Sequence, residues 1–157
     1  MEATQHSENS TITFRWTLKG LRNLFDSSKG DVKSKPCKSI NFGGGQWQIL
    51  FYANSGQEGD YVSLYLACQP TEDEQERAVD ANWVREGLFT FSLEIRDVAD
   101  GVLSPQKVGT SHSFSHQTQN WGWAKFEKRD LVFYDSDIVR EADAFQIICC
   151  ITSVPVS

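Results

Sequence analysis

The sequence predicts an all-β fold, a single antiparallel β-sandwich of seven or eight strands, and three observations carry that prediction. Apolar and polar residues alternate along one short stretch after another, which is the period of a half-buried strand. Clusters of Gly, Asn, Asp and Pro separate those stretches at turn-like spacing. No segment carries the long 3.6-residue apolar stripe of an amphipathic helix, and no internal repeat is present.

Totals bound the function. With 157 residues, 39% hydrophobic and 23% charged, the chain can bury a sizeable core without metals or disulfides. Residues 1–10 are polar and predicted to be a flexible N-terminal segment, with one domain over 11–157. A net charge of −6 leaves no basic stripe for phosphates, so neither nucleic acid nor an anionic membrane surface is expected as a partner. No apolar run reaches the roughly 20 residues of a membrane-spanning helix, and the start of the chain lacks the layout of a signal peptide. A cytoplasmic or nuclear protein is expected. Cys37, Cys68 and the adjacent Cys149 and Cys150 match neither a disulfide framework nor a zinc ribbon, and they read as small core residues.

The first strand covers residues 11–18, with Ile12, Phe14, Trp16 and Leu18 turned inward. Leu21, Leu24 and Phe25 suit a short helical turn, and residues 26–39 a polar loop. Gly43, Gly44 and Gly45 are not followed by the Gly-Lys-Ser/Thr of a phosphate loop and mark a turn. Residues 46–52 form the next strand, with Trp47, Ile49 and Phe51 on one face. After a loop at 54–59, residues 60–68 turn Val62, Leu64, Leu66 and Cys68 inward and Tyr61, Ser63 and Tyr65 outward. Pro70 closes that strand, and 71–80 reads as an acidic, solvated insertion with at most a brief helix.

In the strand at 88–95, Phe89 shares parity with the core-type Phe91, Leu93 and Ile95, so periodicity buries it unless a bulge intervenes. A turn at 97–101 leads to a strand expected over 107–115, with His112 and Phe114 in phase. Residues 120–126 are extended. The apolar segment 130–134 and an acidic turn at 135–143 precede the last strand, 144–154. That strand is apolar on nearly both faces, as a central strand is.

Trp121, Gly122 and Trp123 are the most distinctive stretch. Two indoles flank a glycine, so in an extended chain they share a face while the backbone between them is bare. Either the indoles fill the core, as large aromatics do, or the segment is an edge that receives a peptide.

The order of these pieces resembles the MATH (meprin and TRAF homology) domain. The residues that carry the resemblance are Phe14 to Leu18 in the first strand, Tyr61 and Tyr65 with the alternation around them, Phe89 to Leu93, Phe114, Asn120 to Phe126, and Arg129 with Asp130 and Leu131. They span residues 12–153. The chain is most similar to the MATH domains of BTB-type substrate adaptors of cullin ubiquitin ligases, and next to those of ubiquitin-specific proteases. The resemblance implies an eight-stranded antiparallel sandwich that holds a short linear segment of another protein. By the same resemblance, Tyr65, Phe89, Trp121 and Trp123 line the groove, Phe89 is at the surface, and a further groove tyrosine falls on His112. Gln119, Asn120 and Gly122 complete the site. Asn120 stands where these relatives carry an aspartate and Gln119 where the adaptors carry a lysine, so the preferred motif is expected to differ.

The expected function is therefore a module that binds short linear motifs, an apolar residue followed by small hydroxyl residues, for ubiquitin-dependent targeting. Ligase components would be reached through a domain outside this chain. Alternatives are the targeting domain of a ubiquitin-specific protease and a self-associating structural sandwich. No catalysis, metal or cofactor is expected. His112 and His116 have helical metal-ligand spacing but fall in strand and loop, and no nearby Glu completes a zincin pattern. A thiolate at Cys149 or Cys150 is disfavoured by the apolar strand around it.

Overall fold

The computed structural model describes residues 10–26, 40–42, 45–53, 60–85, 87–109 and 113–154. Its strands are β1 (Ser10–Lys19), β2 (Ile40–Phe42), β3 (Gly45–Tyr52), β4 (Tyr61–Gln69), β5 (Leu88–Arg96), β6 (Val102–Val108), β7 (Asn120–Lys128) and β8 (Ala144–Val154). They form two four-stranded antiparallel sheets, ordered β1-β8-β5-β6 and β2-β3-β4-β7. The eight-stranded sandwich is as the sequence implies.

Alternation decides what lies between the sheets. Trp47, Ile49 and Phe51 of β3 meet Val62, Leu64 and Leu66 of β4, and all six are fully buried. From the other sheet come Phe91, Leu93 and Ile95 of β5, with Phe145, Ile147, Cys149 and Ile151 of β8. β8 occupies the interior of its sheet, where its two-sided apolar pattern predicts it. Trp16 differs from expectation. It is only half-buried, because β1 is the edge strand of its sheet and the rim leaves one side of the indole open.

Among the described residues, three short α-helices accompany the strands. In α1 (Leu21–Asp26), Phe25 stacks on Phe133 at 4.7 Å, and Arg129 lies over the Phe25 ring at 5.2 Å while its guanidinium donates to the Phe25 carbonyl. The segment Asp130–Tyr134 is a π-helical turn, and α3 (Asp137–Ala142) replaces the acidic turn expected at 135–143. Ser136 caps α3 by accepting from the Val139 N–H at 3.3 Å.

The expected insertion at 71–80 contains α2 (Glu72–Arg77), started by a capping box: Thr71 Oγ1 accepts from Glu74 N, and Glu74 Oε1 accepts from Thr71 N. Glu74 has a second task. Arg85 Nε and Nη2 donate to its two oxygens at 2.7 and 3.0 Å, and Arg85 Nη2 also donates to the Gln69 carbonyl at 2.7 Å. Arg85 lies over the Trp47 ring at 5.1 Å, and the pair is almost wholly buried. Burial works to raise the Glu74 carboxyl, but the Arg85 and Thr71 hydrogen bonds and the Arg85 charge outweigh it and hold the group below the usual carboxylate range.

Between α2 and β5, Val79 bridges Asn82 across a two-residue turn with Asp80 at φ 56° and Ala81 at φ 64°. Such a turn favours glycine, and the left-handed conformation costs alanine about 1–2 kcal/mol. Ala81→Gly is therefore expected to raise stability by up to about 1 kcal/mol, part of the relief being lost to the freer unfolded chain. Urea titration checks this, and a destabilised variant would contradict the strain.

A strand expected over 107–115 is displaced to 102–108. The Asp97–Gly101 turn is tight, with Asp97 Oδ1 accepting from both Ala99 N and Gly101 N, so pairing resumes at Val102. Pro105 is tolerated because β6 is an edge strand. Beyond it, Phe114 packs in the core and residues 115–118 form a turn. Among the described residues, no helix is long and apolar enough to cross a membrane.

Candidate functional site

Strand β7 has one strand neighbour among the described residues, β4, and is the last strand in the described order of its sheet. Such an edge offers backbone N–H and C=O groups to an added strand. Pairing with β4 begins just before it, where Cys68 N donates to the Gln119 carbonyl at 2.9 Å. It continues through Ala67↔Asn120, Leu66↔Trp121, Tyr65↔Gly122 and Leu64↔Trp123.

A bulge follows. Between the Leu64 and Val62 pairings β7 holds two residues more than β4, and Ser63 Oγ donates to the Ala124 carbonyl at 2.7 Å inside that irregularity. The bonded hydroxyl explains why Ser63, expected outside, is buried.

Register divides the aromatic residues. Trp121 and Trp123 pair with the inward-facing Leu66 and Leu64, so both indoles start from the inner side of β7 at the rim of the sandwich. Trp123 is half-buried against Phe91 and Phe126, each at 5.7 Å, whereas Trp121 stays 44% exposed. Tyr65 pairs with Gly122 on the outer face, half-buried, its ring edge-on to Tyr52 of β3 at 6.0 Å. Trp123 thus packs on the core as large aromatics do, whereas Trp121 leaves nearly half of its indole open to solvent.

Gly122 has a role other than the one the sequence suggests. A Cβ there would lie 2.1 Å from the Leu64 carbonyl oxygen and 2.6 Å from the Tyr65 Cα. The glycine thus lets β7 close onto β4, and its bare side faces that strand. It also puts no side chain of its own between Tyr65 and the outer edge of the sheet.

Phe89 requires a correction. The resemblance places it at the surface, but it is 1% exposed, with its ring 5.0 Å from Trp47 and 6.3 Å from Phe114. Periodicity, which buries it, gives the right placement, because no bulge interrupts the β5–β8 register from Leu88 to Arg96. His112 lies outside the described residues. Gln119 and Asn120 are exposed at the start of β7, and Gln119 Nε2 donates to the His116 carbonyl at 3.1 Å.

Two residues belong with the site that the sequence reading passed over. Tyr52 supports Tyr65, and Lys125 holds its ammonium 5.5 Å from the Tyr61 ring, next to the bulge. Alternation in β3 puts Tyr52 on the outer face with Gln48 and Leu50, so parity alone carried that signal.

A family model of the MATH domain matches residues 13–151. The chain belongs to the MATH-domain family. The match covers all but the beginning of β1 and the end of β8, and it makes this chain a protein–protein interaction module. No curated protein matches it. In this MATH domain the buried thiol of Cys68 is pushed up to about 12 by its burial, so it is no thiolate at neutral pH. Among the described residues, no three His, Cys, Asp or Glu side chains converge as a metal set.

Proposed function

We propose that this MATH domain captures a short extended segment of a partner protein along the outer edge of β7, the last described strand of its sheet. It acts without catalysis, as the substrate-recruiting part of a ubiquitin-dependent targeting system. One observation carries the reading: β7 is an edge strand whose rim indole, Trp121, is 44% exposed, the most open aromatic ring among the described residues.

An added strand would pair with β7 by main-chain hydrogen bonds, which supply affinity without regard to sequence. Its side chains would alternate. One set would meet Trp121 at the rim, where an apolar residue is favoured, and the other would cross Gly122 toward Tyr65. Small hydroxyl residues suit the neutral Asn120 and Gln119 at the start of β7. A footprint of this size corresponds to micromolar affinity, about −8 kcal/mol.

A peptide-array screen followed by titration tests the reading. Trp121→Ala and Tyr65→Ala are each expected to weaken the selected peptide by about tenfold or more, with little change in melting temperature because neither ring is in the core. If either variant loses several kcal/mol of stability, as buried aromatics do, that residue is structural and its place in the site falls.

Asn120 tests motif chemistry. Where the ligand presents a hydroxyl, Asn120→Asp is expected to tighten binding, since a bond to an ionised acceptor is worth about 1.5–3 kcal/mol against about 1 for a neutral pair. A tenfold loss, about 1.4 kcal/mol, in the same titration would show that Asn120 donates instead.

A further inference from the structure

Strand β7 changes polarity along its length, and its bulge decides which face receives the charge. Trp121 and Trp123 start from the inner side, so strict alternation would send Lys125 inward with them and Phe126 outward. The structure has the reverse. Phe126 is 1% exposed in the core, 5.7 Å from the Trp123 ring, while Lys125 is exposed with its ammonium 5.5 Å from the centre of the Tyr61 ring. Tyr61 shares parity with Tyr65 on β4, so the extra residues of the bulge carry a lysine onto the face that holds Tyr65.

The neighbouring carboxylate goes the other way. Glu127 pairs with the inward-facing Val62, and its Oε1 accepts from Ser104 Oγ at 2.9 Å, on β6 of the opposite sheet. Lys128 is exposed and stands opposite Tyr61. Neither Lys125 nor Lys128 makes an ion pair among the described residues. In a chain of net charge −6, β7 thus runs from a neutral start at Asn120 to two lysines near Tyr61.

We propose, resting on strand capture at β7, that Lys125 is a specificity-determining residue of that site and selects partner segments carrying a glutamate or aspartate. At about 3.3 Å per residue, an added strand that crosses Gly122 beside Tyr65 reaches Tyr61 about four residues further on, so the acidic residue belongs about two to four residues from that crossing. Contact with the Tyr61 ring narrows the positions open to the lysine, and less freedom is lost when a carboxylate meets it. The three N–H groups of the ammonium suit such an acceptor. Charge selection then adds to a site where Gln119 and Asn120 bring none.

The test is titration of the domain with the array-selected peptide, remade with Glu, Gln or Lys in turn at positions about two to four residues on either side of its apolar residue. At one of these positions the Glu version is expected to bind about threefold tighter than the Gln version and about tenfold tighter than the Lys version, the scale of an exposed ion pair. Lys125→Arg is expected to keep that order and Lys125→Glu to invert it, both with unchanged melting because the side chain is exposed. Salt at about 1 M, where screening acts within about 3 Å, is expected to flatten it. Equal binding of the three versions at every position, with binding still lost in Trp121→Ala, would overturn the role of Lys125 and leave the β7 reading standing. An order that survives Lys125→Glu would overturn it as well. Binding that ignores Trp121→Ala would sink the β7 reading, and this proposal with it.

Discussion

Trp47→Ala is expected to lower the stability of the domain by about 3–5 kcal/mol, the range for removing a large aromatic from a core. Trp47 is fully buried, with the Phe89 and Phe114 rings each 5.0 Å away and the Arg85 guanidinium 5.1 Å over its face. Its loss opens a cavity between the sheets and strips the cover from a buried cation, two costs that add. Trp16→Ala is expected to fall well short of that range, because Trp16 is half-buried on the edge strand β1. Denaturant titration of both variants checks the contrast. Equal losses would mean that Trp16 is core and the rim position of β1 is wrong.

Glu74→Ala carries the second large effect. It leaves Arg85, 1% exposed, without its carboxylate, and breaking a buried pair costs about 3–5 kcal/mol through the uncompensated charge. Replacing both partners, Glu74→Met with Arg85→Met, is expected to recover most of the loss, because two apolar side chains need no desolvation. The pH dependence has a defined sign. Glu74 titrates lower in the folded chain than in the unfolded one, so its contribution is fully present above pH 4.5 and is lost as pH falls through the folded-state value. Thermal melts between neutral pH and the acid limb check this: the parent is expected to lose stability there more steeply than the double variant. A Glu74→Ala protein as stable as the parent would show that the pair contributes nothing.

Strands buried on an alternating face were legible from residues alone. The pattern Trp47, Ile49, Phe51 and the two-sided run from Ala144 onward needed no more than period and parity, because burial acts on every second residue. Elements held by particular polar contacts were not. The Thr71–Glu74 box and the reach of Arg85 across eleven residues fix α2 in a segment whose composition reads as a solvated insertion with at most a brief helix. Pro105 hides β6, since a proline argues against a strand unless that strand is known to be an edge. At the site, sequence located β7 and its tryptophans but not the bulge at 124–126, whose extra residues break the parity that places side chains. Phe89 shows the reverse: parity was right, and family likeness misplaced the ring.

Strand addition would lay the peptide along the outer edge of β7. Amide hydrogen exchange on the labelled domain, with and without the array-selected peptide, tests it most directly, since a paired edge amide is protected and a merely covered one is not. New protection is expected at alternate amides within Asn120–Lys128, those pointing away from β4, with no gain along the paired β4 amides. Protection that appears instead along the β6 or β1 edge, or shifts at Trp121 without any slowed β7 amide, would contradict strand addition at this site.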